Sequence, residues 1–379
     1  MRFENSTLGD VCKFIDYRGK TPPKVSEGIP LITAKIIKQG TIQEPQEFIS
    51  PDFYNEWMRR GIPQKGDVII TTEAPLGEVA QIKTDEKLAF AQRIIILEPN
   101  RDILNPNYLL YALQDEVLKT RIEARSSGTT VFGIKSSELK KVEIDLPPIN
   151  IQCKIGNILA QLDDKIANNI AINKNLADML QAVYQKMFSS EPQNMLAEIC
   201  SYSRDRVSVN ELTIDDYYTT ENMLPQKAGA TTATNLPTTS QVIKCHVGDV
   251  LISNIRPYFK KILYCYRDCG CSNDVLCFTP KYQNMTAFLY TTLYEDHFFD
   301  FMVLGAKGTK MPRGDKQQIM TYPIVLPSEK ELDSFNSIAF PLLQDIYNNT
   351  SENAHLASVR DALLPRLMSG EIDVSAIEI

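Results

Sequence analysis

The side chains best suited to chemistry in this 379-residue chain are cations, amides and aromatic rings gathered in short loops. The first such loop, residues 16–24, contains Tyr17, Arg18, Lys20 and Lys24 beside a glycine and two prolines. Arginine can donate two parallel hydrogen bonds to guanine, and lysine can bind a phosphate group as a point charge. We therefore expect this loop to contact DNA, although a solvated loop could have the same composition.

A second loop of similar chemistry follows a Gly-Asp-Val segment in each half of the chain. In the first half it spans residues 71–77, where Thr72 is the candidate contact. Amide, guanidinium, phenol and ammonium groups together suit the base edges of a DNA groove. In the second half it spans residues 253–261, with the candidates Asn254, Arg256, Tyr258, Lys260 and Lys261.

A third loop, which contains a glycine, is basic in both halves and is expected to contact phosphates. The alternative is a plain connection from helix to strand. Arg204 is a further candidate, because it lies in the part of the second half that corresponds to the first loop. The candidates in the third loop are Arg125 and Lys135 in the first half and Lys307, Lys310 and Arg313 in the second.

Residues for catalysis or metal binding are poorly placed. The three histidines are isolated from one another, so we expect them to be structural. Four of the eight cysteines lie between positions 265 and 277 without a C-x-x-C pair, which argues against a zinc site. Neither a Walker A loop nor a G-x-G-x-x-G segment is present. We predict no catalytic residue, metal or cofactor in this chain.

Composition and charge favour a globular protein with a local binding patch. The chain is 43% hydrophobic and 23% charged, with a net charge of -7. An acidic body does not attract a polyanion over its whole surface, so any DNA-binding surface must be local. No stretch approaches the roughly 18 apolar residues of a membrane span, and we expect a cytoplasmic protein without membrane contact.

The chain repeats itself at a distance of about half its length. The segment Gly-Asp-Val-Ile-Ile at 66–70 returns as Gly-Asp-Val-Leu-Ile at 248–252, and Gly-Thr at 128 returns at 308. A tandem duplication of this kind suits a partner with its own local symmetry, such as duplex DNA. Short β-branched runs between turn residues predict α/β repeats. The predicted strands are 29–33, 67–72, 79–82, 93–97, 250–253, 261–264 and 275–278, and the predicted helices are 105–122 and 286–301.

After each repeat comes a long helix whose apolar residues recur in steps of three and four, as in a coiled coil. Asn169 and Asn173 interrupt the first stripe, and Asn349 and Asn353 interrupt the second at the same register. We expect these amides to form a polar layer that fixes the register of antiparallel pairing within the chain. A zipper between two chains is the alternative. Pro341 is expected to kink the second helix or to mark a late start.

The order of several short segments resembles one known family. These segments are Tyr-Arg-Gly-Lys-Thr-Pro at 17–22, Gly-Asp-Val at 66–68, Leu-Pro-Pro at 146–148, the helix through 158–166, and Leu-Pro-Arg-Leu-Met-Ser-Gly-Glu-Ile at 364–372. Together they span essentially the whole chain, and they resemble the specificity subunits of type I restriction-modification systems.

The resemblance implies α/β target-recognition domains in tandem, related by a pseudo-two-fold and separated by two long helices that form an antiparallel coiled coil. The predicted boundaries are 1–147 for the first target-recognition domain and 148–190 for the first long helix. The second domain is predicted at 191–327, and the second long helix with the C-terminal tail at 328–379.

The resemblance also implies a non-catalytic subunit that reads a bipartite double-stranded DNA target, one domain per half-site. Its helices would dock two modification subunits, which carry S-adenosylmethionine and methylate adenine, and restriction subunits could join. Two other hypotheses remain from the residues alone. One is a self-sufficient DNA methyltransferase or nuclease, which the missing cofactor loop argues against. The other is a coiled-coil scaffold whose α/β domains bind protein.

Overall fold

The computed structural model describes residues 3–17, 21–38, 40–128 and 132–377. The chain forms two compact units. Unit 1 comprises residues 1–167 and 353–379, and unit 2 comprises residues 168–352. Each long helix therefore contributes about one half to each unit. The sequence predicted four segments instead, with each long helix separate from the two domains, and those four boundaries remain a prediction.

Unit 1 is built on a four-stranded antiparallel sheet, in the order Cys12–Asp16, Ile94–Pro99, Val68–Thr72, Leu76–Gln81. The strand Val68–Thr72 is buried along its whole length, which suits its run of β-branched residues. The remaining strands form smaller pairings: Glu4–Thr7 with Glu143–Leu146, Ile29–Ile32 between Phe48–Ile49 and Ala89–Phe90, and Ile37–Lys38 with Thr41–Ile42.

Unit 2 follows the same plan, in the order Cys200–Tyr202, Val275–Pro280, Val250–Ser253, Ile262–Tyr264. Asn194–Met195 pairs with Pro323–Ile324, as the first and last strands of unit 1 do. Unit 2 also has a second four-stranded sheet, in the order Arg206–Ser208, Gln241–Cys245, Cys269–Cys271, Tyr217–Tyr218.

The repeated Gly-Asp pair makes the same turn in both units. The buried carboxylate of Asp67 accepts a hydrogen bond from the backbone N–H of Gln64, and that of Asp249 accepts one from His246, both at 2.8 Å. Burial raises the pKa of both aspartates. The glycine before each aspartate has a positive φ, 97° and 90°, which favours glycine. The repeat therefore preserves a turn.

Each helix predicted at 105–122 and 286–301 is in fact two helices, broken at an acidic residue. Asp115 is extended, and its carboxylate accepts the N–H of Val117, so it caps a new helix. Glu295 occupies the equivalent position and is also extended. The helices of the two pairs are Pro106–Gln114 and Glu116–Ala124, then Thr286–Tyr294 and Asp296–Leu304. Shorter helical segments are Leu8–Val11, Ala34–Ile36, Pro51–Trp57, Ser136–Leu139, Leu196–Glu198, Val209–Glu211, Pro257–Phe259, Gln283–Met285 and Lys316–Ile319.

The two long helices are Ile149–Met187 and Glu329–Met368. The prediction of a late start at Pro341 is wrong, since the second helix begins well before it. A reciprocal capping box fixes that start: Ser328 N–H donates to the carboxylate of Glu331, whose own N–H donates to the Ser328 hydroxyl. Pro341 is exposed, but Ala339 before it and Leu343 after it are buried, so packing on both sides supports the helix across the proline.

Amides of the two long helices contact each other in unit 2, as expected from the asparagines that interrupt the apolar stripes. Asn349 donates to the Asn173 amide oxygen at 2.8 Å, and Asn173 donates to the Ile346 carbonyl at 3.2 Å. Asn169 donates to the Glu352 carboxylate at 2.7 Å. These contacts require the two helix segments to run antiparallel. Asn353 is half-buried on the part of the second helix that belongs to unit 1. That the amides set the register remains a prediction.

A different contact occupies the corresponding place in unit 1. Arg360 contacts the Asp163 carboxylate at 2.7 Å, and the hydroxyl of Tyr111 donates to the same carboxylate at 2.7 Å. In unit 2, 180 positions away in each case, stand Leu180 and Leu343, both 2% exposed. If the first long helix paired with a copy of itself, Asp163 would face a leucine. The ion pair therefore favours pairing within one chain over a zipper between two.

Replacing Asn173 and Asn349 together by Leu should raise the midpoint temperature of unfolding, because two half-buried amides between the helices give way to apolar contact. It should also permit wrong registers, visible as additional oligomeric species in light scattering. Asn173→Leu alone is the control, and it should lower the midpoint, since Asn349 loses its acceptor. A more stable double variant with one unchanged oligomeric state would show that the amides do not set the register.

Arg360→Leu should lower the free energy of unfolding by roughly 1–3 kcal/mol, because it leaves a half-buried carboxylate without its cation. Combining Asp163→Leu with Arg360→Leu in a Tyr111→Phe background copies the leucine pair of unit 2 and leaves no phenol without an acceptor. That variant should recover most of the lost free energy of unfolding. It should also form dimers, because the first long helix could then pair with a copy of itself. Chemical denaturation and light scattering measure both effects, and a combined variant as unstable as Arg360→Leu would contradict this account.

Candidate nucleic-acid interface

In unit 2 the second and third candidate loops pair with each other. Ile255 and Arg313 form an antiparallel β-bridge, and Lys307 bridges Arg313 from the other side. The N–H of Arg256 donates to the Pro312 carbonyl at 2.8 Å. Two loops that the sequence treats separately therefore form one surface.

Unit 1 repeats this pairing with other side chains. Glu73 and Gly133 form the antiparallel bridge, and Ser127 bridges Gly133 from the other side. The N–H of Ile134 donates to the Thr72 carbonyl at 3.0 Å. The backbone arrangement is shared, whereas the residues that occupy it differ.

A third segment joins both pairs at the start of the next strand. The N–H of Thr72 donates to the Arg93 carbonyl in unit 1, and that of Asn254 donates to the Asp274 carbonyl in unit 2, both at 2.9 Å. We call this surface the paired-loop edge. It comprises residues 72–74, 93, 127 and 133–134 in unit 1, and residues 254–256, 274, 307 and 312–315 in unit 2.

Several cations at the unit 2 edge are held by carboxylates. Arg313 contacts Asp274 at 3.0 Å, and Lys307 contacts Asp315 at 2.6 Å. The hydrogen bond from Lys307 lowers the pKa of Asp315. Lys310 is exposed. Cations and carboxylates thus alternate across this edge, which gives it donors and acceptors without a large net charge.

The turn Pro257–Phe259 presents aromatic rings next to this edge. Arg256 and Lys260 flank it, both with φ of 51°, in the left-handed region that is costly for residues other than glycine. The ring of Tyr258 is exposed. Lys260 and Lys227 both contact Asp296, and the hydrogen bond from Lys227 lowers the pKa of that carboxyl most.

Residues 2–178 match a family described as the type I restriction modification DNA specificity domain. The specificity subunit of the type I restriction enzyme MjaIX from Methanocaldococcus jannaschii is 24% identical over 95% of this chain and 91% of its own length. Residues 2–178 therefore form a type I restriction-modification DNA specificity domain, and the chain is similar to a type I specificity subunit over nearly its whole length.

Two further likenesses concern a part of the sequence and the fold. The HindI specificity subunit from Haemophilus influenzae is 29% identical over 33% of this chain and 28% of its own length. The crystal structure of a type I specificity subunit from M. genitalium superposes with a TM-score of 0.59 at 18% identity, covering 97% of this chain and 96% of the other. This structural likeness concerns the fold.

One of the DNA contacts predicted in the first loop is buried in the structure. The ring of Tyr17 is only 3% exposed, its hydroxyl donates to the Gly61 carbonyl, and it stacks with Trp57. A tyrosine in this position stabilises the core and cannot lie against DNA. Lys24 is exposed and contacts Glu47. The predicted contacts Arg18 and Lys20 lie outside the described residues.

Three other predicted side chains turn inward. Thr72 and Asn254 are buried, so they shape the edge through their backbones and do not reach a base. The ammonium of Lys261 donates to the Thr220 carbonyl at 2.6 Å, and burial lowers its pKa. The strand that precedes each of these loop segments leads directly into the core, which the loop composition does not reveal.

The other predicted contacts occupy various places. Lys135 is exposed. Arg125 contacts Glu138, which lies in the short helix after the third loop, at 3.4 Å. Arg204 is exposed in a groove with Asp205 and His246, so the structure does not place it at the paired-loop edge.

Three charged residues of the edge are not among the contacts predicted from the sequence, namely Glu73, Arg93 and Asp274. Arg93 contacts Glu73 through Nε at 3.0 Å. An alignment of the two repeats would have indicated Arg93 and Asp274, because each directly precedes one of two equivalent strands.

Metal and membrane features give no further site. Within the described ranges, no group of three or more histidine, cysteine or acidic residues is arranged to hold a metal ion. Across the same residues, no helix combines the length and apolar character needed to cross a membrane.

Gly314→Ala should destabilise the unit 2 edge, because the added Cβ would lie 2.9 Å from the Asn254 amide oxygen and 3.0 Å from Ile319 Cδ1. We expect a loss of roughly 1–3 kcal/mol in the free energy of unfolding, typical of overpacking. Adding Asn254→Ala removes the crowded amide and should recover part of it in chemical denaturation. If Gly314→Ala is as stable as the wild type, the edge is looser than described.

Proposed function

We propose that this chain is a type I specificity subunit that reads a bipartite duplex DNA target, with the paired-loop edge of each unit reading one half-site. The observation that carries the proposal is that both units build the same edge from the same backbone contacts and equip it with different side chains. A shared framework supplies the same mode of binding twice. Different side chains supply two different sequences.

The substitutions between the two edges are large in chemical terms. Glu73 corresponds to Ile255, Gly133 to Arg313 and Ser127 to Lys307. Each exchange changes the hydrogen-bonding groups or the charge offered to a base pair. Such divergence on one framework is what two readers of unlike half-sites need.

The charge distribution supports selective rather than general binding. The chain has a net charge of -7, and the cations at the edge lie among carboxylates. Phosphate attraction supplies most non-specific affinity for DNA. An edge with compensated charge reduces that contribution and leaves more of the binding to base contacts.

The chemistry at the DNA belongs to partners in this proposal. Two modification subunits dock on the long helices and carry S-adenosylmethionine, which supplies the methyl group for adenine. Restriction subunits join the same complex. The support is the match of residues 2–178 to the type I DNA specificity domain and the likeness of the chain to a type I specificity subunit.

Methylome sequencing tests the proposal in a host that expresses the modification partner with or without this chain. We expect adenine methylation at one motif with two specified halves and an unspecified gap, present only when the chain is expressed. An unchanged methylome with a partner shown to be active, or methylation at a motif with a single specified half, would contradict the proposal.

A further inference from the structure

We infer that each half-site is read by an arginine that an acidic neighbour holds at the paired-loop edge: Arg93 with Glu73 in unit 1, and Arg313 with Asp274 in unit 2. This inference rests on the proposed function and assigns the residues that determine its specificity. Glu73 lies in the second loop, but Glu73, Arg93 and Asp274 are not among the contacts predicted from the sequence.

The two pairs occupy the same three-segment junction. In unit 1 the arginine precedes the strand Ile94–Pro99 and the acid lies in the second loop. In unit 2 the acid precedes the strand Val275–Pro280 and the arginine lies in the third loop. The interaction is conserved between the repeats, but the segments that supply its two members differ.

Both pairs are accessible to a ligand. Side-chain exposure is 46% for Arg93 and 44% for Glu73, with Nε 3.0 Å from the carboxylate. It is 54% for Arg313 and 44% for Asp274, with a terminal nitrogen 3.0 Å from the carboxylate. A guanidinium has five N–H donors, so one such contact leaves donors for a base.

These exposed pairs are poorly explained by stability, because a solvent-exposed ion pair contributes little to folding. Instead, the acidic side chain restricts the long arginine side chain to one region of the paired-loop edge. Less rotamer freedom is then lost when the arginine meets a base. A carboxylate beside the arginine also repels phosphates, which disfavours the guanidinium binding the DNA backbone.

The chemistry defines the class of base pair. Arginine donates two hydrogen bonds to the guanine O6 and N7 in the major groove, and a carboxylate can accept from the cytosine amino group. Each half-site should therefore contain a G·C pair read by this couple. Because the guanidinium comes from different segments in the two units, that pair need not occupy the same position in both halves.

The test compares methylomes of strains that express wild-type chain, Arg93→Gln or Arg313→Gln with the modification partner. Arg313→Gln should relax one G·C position in one half of the motif, with discrimination reduced about 10-fold or more, and Arg93→Gln should do so in the other half. The unaltered half should stay as specific as in the wild type.

Matched controls separate base reading from loss of an ion pair. Arg267 contacts Asp216 at 2.9 Å with 52% side-chain exposure, close to the values for Arg313, but lies outside the paired-loop edge. Arg267→Gln should leave both halves unchanged. In unit 1, Arg59→Gln serves the same purpose, since the exposed Arg59 contacts the exposed Glu56 at 3.7 Å, away from the edge.

Asp274→Asn provides a second route if Arg313→Gln does not fold, since it keeps the arginine and removes only its anchor. It should weaken discrimination at the same position. Full specificity in folded Arg313→Gln, or in Asp274→Asn, would overturn the inference, as would an equal loss in both halves. If wild-type chain directs no bipartite methylation, the proposed function fails instead, and the two failures are distinguishable.

Discussion

The antiparallel pairing of the two long helices is the constraint on which the rest of the structure depends, because each unit needs half of each helix to complete its core. In unit 1, Leu159 from the first helix and Leu367 from the second pack in one cluster. In unit 2, Leu180 and Phe335 do the same. Neither unit can bury its helices' apolar faces without residues that are distant in the chain.

The two long helices contact each other through different kinds of side chain in unit 1 and in unit 2. A carboxylate and a guanidinium meet in unit 1, whereas buried leucines occupy the two equivalent positions in unit 2. The amides of Asn169 and Asn173 make their contacts 6 and 10 residues after Asp163. Buried polar contacts of this kind restrict pairing more than they stabilise it. Their unequal distribution distinguishes each helix half from its repeat, so a duplicated chain pairs with itself in one way.

Duplication also explains how much the sequence could predict. Strands such as Val250–Ser253 were predicted to the residue, because β-branched runs between glycine turns depend on local sequence. The helix stripe was predicted from periodicity alone, and its Asn173 and Asn349 do meet. Features set by packing were missed. Tyr17 belongs to a loop whose composition predicted DNA contact, but its ring lies in the core. Pro341 was expected to mark the start of a helix, but it lies inside one that buried neighbouring residues stabilise.

The candidate site was predicted less completely than the fold, for a physical reason. Composition identified the second and third loops, but their pairing joins residues that are about 60 positions apart in each unit. Ile255 meets Arg313, and Glu73 meets Gly133, through backbone contacts that no local pattern encodes. The acidic members of the edge were missed because a search for DNA contacts favours cations. Aligning the repeats strand by strand recovers them.

The most direct measurement is hydrogen–deuterium exchange of the complex of this chain with its modification partner, bound to duplexes in which one half of the motif is scrambled. We predict that the intact target protects the paired-loop edges of both units, and that scrambling one half removes protection from one edge alone. Loss of protection at both edges together, or protection confined to one unit on the intact target, would contradict the account of two independent readers.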